Sequence, residues 1–151
     1  MVRIEVSHTF PVSVAEVFAY ITDMKNWPAY WPDFIRIENP SARWSRPMDK
    51  VTIVIKLLNR ERALHMELKE FQKDARVAYI SRQQGLPDVR HERLFNAALD
   101  GCEYRLVVEY EARQGVAGLF DRLLVKRSVE RAMHKTVHNL ERVFQQARAS
   151  A

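Results

Sequence analysis

With 151 residues, 47% of them hydrophobic and 28% charged, the chain reads as one globular domain, residues 1–151, able to bury a core without metal or disulfide staples. Its single cysteine, Cys102, excludes an intrachain disulfide, and no run approaches the ~18 apolar residues of a membrane span. The net charge of +5 is concentrated: residues 116–151 carry seven basic and three acidic residues, and the remaining 115 carry 17 and 16.

Val2 to Phe10 alternates as a strand does and lacks the apolar block of a signal peptide, so the expected location is cytoplasmic. Ser13 and Glu16 form a Ser-x-x-Glu capping box, with Val14, Val17, Phe18 and Ile21 making a helical apolar stripe to about Asp23. Trp27-Pro28 and Trp31-Pro32 follow. Two prolines four positions apart argue against a regular helix, so this segment is expected to be a short helical turn and an elbow. Its aromatics, Trp27, Tyr30 and Trp31, either pack under the sheet edge, the favoured reading, or line a pocket mouth.

Ile35 to Glu38 reads as a short strand and Asn39 to Asp49 as a loop. Val51, Ile53, Ile55 and Leu57 share one strand face, Leu64, Met66 and Leu68 another, and Val77, Tyr79 and Ser81 a third. Asp100-Gly101 signals a type I′ hairpin between Val89–Leu99 and Cys102–Arg113. With Leu99 opposite Cys102, one face carries Arg93/Val108, His91/Tyr110, Phe95/Leu106 and Ala97/Tyr104. The other face is mostly charged, so the first points inward. His91 and Arg93 are then polar groups on a buried face, costly unless paired or facing a wet cavity.

Gly118 to Arg148 reads as one amphipathic helix of ~46 Å. Its stripe runs through Leu119, Phe120, Leu123 and Leu124, then Val129, Met133, Val137, Leu140 and Phe144, with a phase shift near Lys126 to Ser128 that is compatible with a bend but does not establish one. His134 and His138 have the i, i+4 spacing of metal ligands, but Lys135 stands where a zinc-protease motif needs Glu, and both share a face with Arg127, Arg131 and Glu141. A solvated face is the favoured reading, and no metal is expected. The basic residues lack the interleaved aromatics of a nucleic-acid platform, so a solvated face is favoured, no nucleic-acid partner is expected, and membrane contact is possible but not favoured. Four glycines and no Gly-x-Gly-x-x-Gly, P-loop or Gly-x-Ser-x-Gly motif leave no expectation of a cofactor.

The order strand, capped helix, tryptophan elbow, six more strands and long terminal helix resembles the START-like helix-grip superfamily (SRPBCC). Within it, the chain is similar to the polyketide cyclase/dehydrase and lipid-transport group. The resemblance is carried by Val14-Ala-Glu-Val-Phe-Ala-Tyr-Ile-Thr-Asp23, the Trp27/Trp31-Pro32 elbow, the Asp100-Gly101 hairpin and Gly118-Leu-Phe-Asp-Arg-Leu123, and it spans essentially the whole chain. It implies an α+β fold in which a seven-stranded curved antiparallel sheet wraps the long C-terminal helix around an internal cavity. The superfamily includes aromatase/cyclases, lipid and quinone carriers and hormone receptors. Some members close a Gly-Leu-Pro gate loop; Gly85-Leu86-Pro87 falls between a later pair of strands than that gate does.

The expected function is therefore binding of a hydrophobic or aromatic small molecule, lipid-, quinone- or polyketide-like, in that cavity. Two alternatives stand beside it: a polyketide aromatase/cyclase-type enzyme, and an adaptor using the basic helix against a membrane or macromolecule. Expected ligand-contacting residues are Ile53, Ile55, Met66, Tyr79, Arg93, Phe95, Tyr104, Leu106, Val108, Tyr110 and Met133; Val51 and Leu64 face the same interior. His91, as a proton exchanger, and Arg93, as a holder of a carboxylate or enolate oxygen, are the candidates for any catalysis. Arg93 must find an acceptor, and the sharpest expectation is that it anchors the polar end of the ligand.

Overall fold

The computed structural model describes the chain apart from residues 41, 58, 112–115, 150 and 151; of residues 116–123, 148 and 149 it describes the helical backbone. In chain order the elements are β1 (Val2–Phe10), α1 (Val14–Thr22), a 3₁₀ turn (Met24–Asn26), α2 (Trp27–Tyr30), β2 (Phe34–Ile37), β3 (Lys50–Leu57), β4 (Arg60–Gln72), β5 (Arg76–Arg82), β6 (Val89–Ala98), β7 (Gly101–Tyr110) and α3 (Val116–Ala149). The strands form one seven-stranded sheet in the order β1-β7-β6-β5-β4-β3-β2, every pair antiparallel. This is the helix-grip architecture: an open curved sheet with all helices on its concave side. No described helix is long and apolar enough to cross a membrane.

Local chemistry explains the helical entry. The Ser13 hydroxyl accepts from the Glu16 N–H at 3.3 Å, satisfying one of the donors that a helix start leaves unpaired. At the other end of α1 the Ile21 carbonyl has no helical donor left. The Trp27 indole N–H and the Tyr30 hydroxyl both donate to it, at 3.0 and 2.8 Å. The elbow is therefore stitched to the helix it follows. Its two prolines bracket α2 instead of forbidding it: Pro28 occupies the first turn, where no N–H is needed, and Trp31, before Pro32, turns extended at ψ 120°.

Period-two alternation buries Ile4, Val6, Val51, Ile53, Leu64, Met66, Leu68, Val77, Tyr79, Phe95, Tyr104, Leu106, Val108 and Tyr110 on one face. Phe18 of α1 packs edge-on against Phe71 and Phe95, with ring centres 5.3 and 5.0 Å apart. From α3, Met133, Val137, Leu140 and Phe144 complete the core. Asn139 ties α3 to the elbow by donating to the Tyr30 carbonyl at 3.0 Å. Leu124, expected in the stripe, is instead 66% exposed. The expected contributions of Leu119, Phe120 and Leu123 lie outside the described side chains, and α3 is one continuous helix through Lys126 to Ser128.

The β6–β7 hairpin corrects the expected register. Ala98 opposes Gly101 and Ala97 opposes Cys102, so the two-residue turn is Leu99-Asp100, and Leu99 is fully exposed. Arg93 faces Leu106, His91 faces Val108, Phe95 faces Tyr104 and Val89 faces Tyr110. The physical reason lies in Gly101. A Cβ there would stand 1.9 Å from the Phe10 carbonyl oxygen, so glycine is needed for close backbone approach and not for the turn. Because the error is two residues, every side chain keeps its expected face. The expected partners Ala112 and Arg113 lie outside the described residues.

Candidate functional site

The site is assembled where β5, β6, α1 and the elbow meet. Val77 lies opposite Arg93, and Tyr79 opposite His91. Arg93 is buried, 8% exposed, on the inward face. Its Nη1 donates to the Tyr30 hydroxyl at 3.3 Å and its Nη2 to the Tyr79 hydroxyl at 3.0 Å. The guanidinium lies 5.3 Å from the centre of the Trp31 ring and 5.4 Å from that of Tyr79, within cation–π range.

No carboxylate pairs with Arg93 among the described residues, and its Nε has no hydrogen-bond partner there. A guanidinium stays protonated at any working pH, so this is a buried cation solvated by phenol oxygens and ring faces, with no opposite charge beside it among the described residues. The buried Tyr104 and Tyr110 hydroxyls are also unpartnered among the described residues. Burial raises the Tyr104 phenol above its ordinary value despite the nearby Arg93 charge. Burial likewise pushes Tyr30 up to about 12, with Arg93 opposing the shift. Tyr30 and Tyr104 are therefore neutral at neutral pH and act as hydrogen-bonding groups, not as counter-ions.

Above this cluster lies an aromatic wall. Trp27 lies tilted against Trp31, centres 5.4 Å apart, and meets Trp44 edge-on at 5.8 Å; Trp44 in turn meets Tyr79 at 5.6 Å. These residues, with Ile21, Thr22, Met66, Val77 and Arg93, enclose a cavity of about 10 Å³. That is room for one water molecule, far below the ~300–1,000 Å³ of a small-molecule pocket. The broad hollow expected from the sequence is thus filled here, because the elbow and Trp44 turn their rings into it.

Of the expected ligand contacts, Met66, Tyr79 and Arg93 line this cavity. Ile53, Phe95, Tyr104, Leu106, Val108, Tyr110 and Met133 are buried in the continuous core, as are Val51 and Leu64, and Ile55 is only half-buried. His91 stands beside the cavity. Its ring stacks on Tyr79, centres 4.4 Å apart and nearly parallel, and its Nε2 shares a 2.8 Å hydrogen bond with the Ser81 hydroxyl. Burial, reinforced by the Arg93 charge, lowers its pKa to about 3. It is a neutral, weakly basic imidazole. Cys102 is fully buried with its thiol pushed up by burial, which suits a packed hydrophobe and not a nucleophile. His134 and His138 are exposed.

Trp44 was not legible as a site residue. The only signal was a large apolar ring inside a Pro-, Ser- and Arg-rich loop, where few such rings stay exposed. A trough of about 190 Å³ runs over Ala78, Ile80 and Val107 on the outer face of the sheet, and His91 and Tyr79 also contribute to its lining. Its charges answer one another: Arg76 pairs with Glu70 and Glu92, and Arg90 lies 3.5 Å from Glu109. It therefore presents no unpaired group to a ligand.

The family model described as polyketide cyclase/dehydrase and lipid transport matches residues 1–145. Among solved structures, a Thermus thermophilus protein superposes with a TM-score of 0.80 at 16% identity, covering 97% of this chain and 99% of its own. A Rhodobacter sphaeroides protein gives 0.74 at 13% identity, covering 95% and 92%. A protein from the dynemicin biosynthetic locus gives 0.70 at 12% identity, covering 96% of this chain and 48% of that one. At these identities the likeness is one of fold. No curated protein matches the chain.

Proposed function

The chain belongs to the polyketide cyclase/dehydrase and lipid-transport family, and within it we propose that it binds a hydrophobic or aromatic small molecule whose polar end is held by Arg93. The observation that carries this reading is the buried guanidinium without a carboxylate. Its partners are neutral phenols and aromatic faces, and its Nε is unused. An oxyanion or carbonyl oxygen in the cavity supplies the missing acceptor, and the rings of Trp27, Trp31 and Trp44 supply the apolar contact. The cavity of about 10 Å³ is too small for such a ligand, a point against this reading, so binding requires the lining rings to move. Half-exposed Trp31, which covers Arg93, is the ring a ligand displaces.

Binding is preferred to a cyclase-type reaction on one further ground. Such a reaction needs a proton acceptor near the substrate carbon, and His91 is held at low basicity and turned toward Tyr79 and Ser81. The test is native mass spectrometry for co-purified ligand, followed by titration with a matched pair of probes, naphthoic acid and methylnaphthalene. Arg93→Met should weaken the acid by ~1.5–3 kcal/mol, the range for a hydrogen bond to a charged group, and leave the hydrocarbon nearly unchanged. Equal loss for both probes would show Arg93 to be structural.

A further inference from the structure

The solvent side of α3 carries a second feature. Arg127, Arg131, Lys135 and Arg142 are exposed, as are His134 and His138. At 3.6 residues per turn these six fall within an arc of about 100° and run about 22 Å along the helix. That arc lies opposite the buried stripe of Met133, Val137, Leu140 and Phe144. Among the described residues none of the four permanent cations has an acidic partner. The helix's own described acids are engaged at the flank of the stripe: Glu130 with Lys126 at 3.9 Å, and Glu141 with His8 at 3.9 Å. Elsewhere on the surface Arg3, Arg36, Arg76, Arg82 and Arg105 sit in short-range pairs, and the exposed arginines without a carboxylate partner among the described residues, Arg46, Arg60 and Arg62, are not gathered on one helix face. The stripe is thus a line of uncompensated positive charge on a rigid helix. At its N-terminal end Leu124 and Val125 project into solvent, 66% and 39% exposed.

We infer that this stripe docks the protein on an anionic lipid surface. A row of cations without interspersed acids complements a sheet of anionic headgroups, and each basic residue held there strengthens partition about fivefold. Four together give roughly 600-fold over a neutral bilayer, which describes a transient, salt-sensitive dock. Leu124 sits in the same arc and enters the headgroup boundary as an interfacial helix residue does. A phosphate backbone offers an exposed leucine nothing, which is why a bilayer is preferred to nucleic acid. The inference does not rest on the cavity reading, since the stripe is on the opposite side of α3 and is tested without cavity ligand.

The experiment is co-sedimentation of the full chain with large vesicles of phosphatidylcholine alone or with 30% phosphatidylserine, at 25 and 150 mM salt. The wild type should pellet with the anionic vesicles at low salt, progressively less at 150 mM, and not with the neutral ones. Arg131→Gln/Lys135→Gln should raise the lipid concentration for half-binding about 25-fold with an unchanged circular dichroism spectrum. Arg127→Gln/Arg142→Gln serves as an independent pair should the first fail to fold. Absence of wild-type pelleting at 25 mM salt, equal pelleting with neutral vesicles, an unchanged midpoint in a folded variant, or tighter binding to duplex DNA than to vesicles at equal anion concentration would each overturn it.

Discussion

Replacing Arg93 by Met should separate stability from binding in an unusual direction. The substitution removes two hydrogen bonds from a charged donor, to Tyr30 at 3.3 Å and Tyr79 at 3.0 Å. At ~1.5–3 kcal/mol each these represent ~3–6 kcal/mol, with ~1–2 kcal/mol more from the cation–π contacts on Trp31 and Tyr79. Against this stands the effective penalty of several kcal/mol for holding an ion out of water without an opposite charge. Met keeps most of the stem's packing, and the Tyr30 hydroxyl retains its bond to Ile21 at 2.8 Å, so chiefly the Tyr79 hydroxyl is left without a donor. The terms nearly cancel, and the net change should be within ~1.5 kcal/mol of zero. A buried arginine in an ordinary salt bridge costs ~3–5 kcal/mol when the pair is broken. Urea unfolding of both proteins at pH 7, with m-values compared, measures the difference. Repeating it with naphthoic acid at a hundred times its dissociation constant should add ~2.7 kcal/mol to the wild type and far less to the variant. A loss above ~3 kcal/mol without ligand would refute the reasoning and make Arg93 a structural keystone.

Two further outcomes follow from the geometry. Because the folded His91 pKa lies near 3, below that of the unfolded chain, the unfolded state takes up this proton first as the solution is acidified. His91 thus contributes its stability fully above pH ~6.5 and loses it through the window down to ~3, at ~1.4 kcal/mol per pH unit and ~2 kcal/mol by pH 5. His91→Phe, which keeps a ring against Tyr79, should flatten that part of the urea-derived pH profile; identical slopes in both proteins would contradict the assignment. Gly101→Ala forces a methyl to within 1.9 Å of the Phe10 carbonyl oxygen and should destabilise by more than ~3 kcal/mol, whereas Gly85→Ala, at φ +79° with open space around it, should cost only ~1 kcal/mol. Comparable melting shifts for the two would show that β1 yields easily at Gly101.

Much of the fold was legible because the relevant signals are local. Period-two alternation in Val51 to Leu57 and Leu64 to Leu68, the Ser13 cap and the 3.6-period stripe ending at Phe144 each report on residues a few positions apart. The Arg93 face survived a wrong hairpin register for the same reason: parity, not pairing, decides which way a strand residue points. What failed was non-local. The demand for glycine at position 101 comes from Phe10, on the far side of a pairing that no local pattern announces. Leu124 reads as core but falls on the helix face opposite Met133, Val137, Leu140 and Phe144, and is 66% exposed. Trp44 gains its role from Trp27 and Tyr79, which belong to two other segments.

The volume of the site illustrates the limit best. Residue types set what could line a hollow, but whether one remains depends on where four large rings, Trp27, Trp31, Trp44 and Tyr79, are turned. Here they close it to about 10 Å³. A core selected for stability alone would then place an aliphatic side chain at position 93, which would fill the same space without desolvating a charge. The aromatic lining around Arg93 makes the cation tolerable but does not neutralise it, and its Nε has no partner among the described residues, which is what the proposed ligand acceptor would supply. The residue that is hardest to explain as packing is therefore the one on which the functional reading turns.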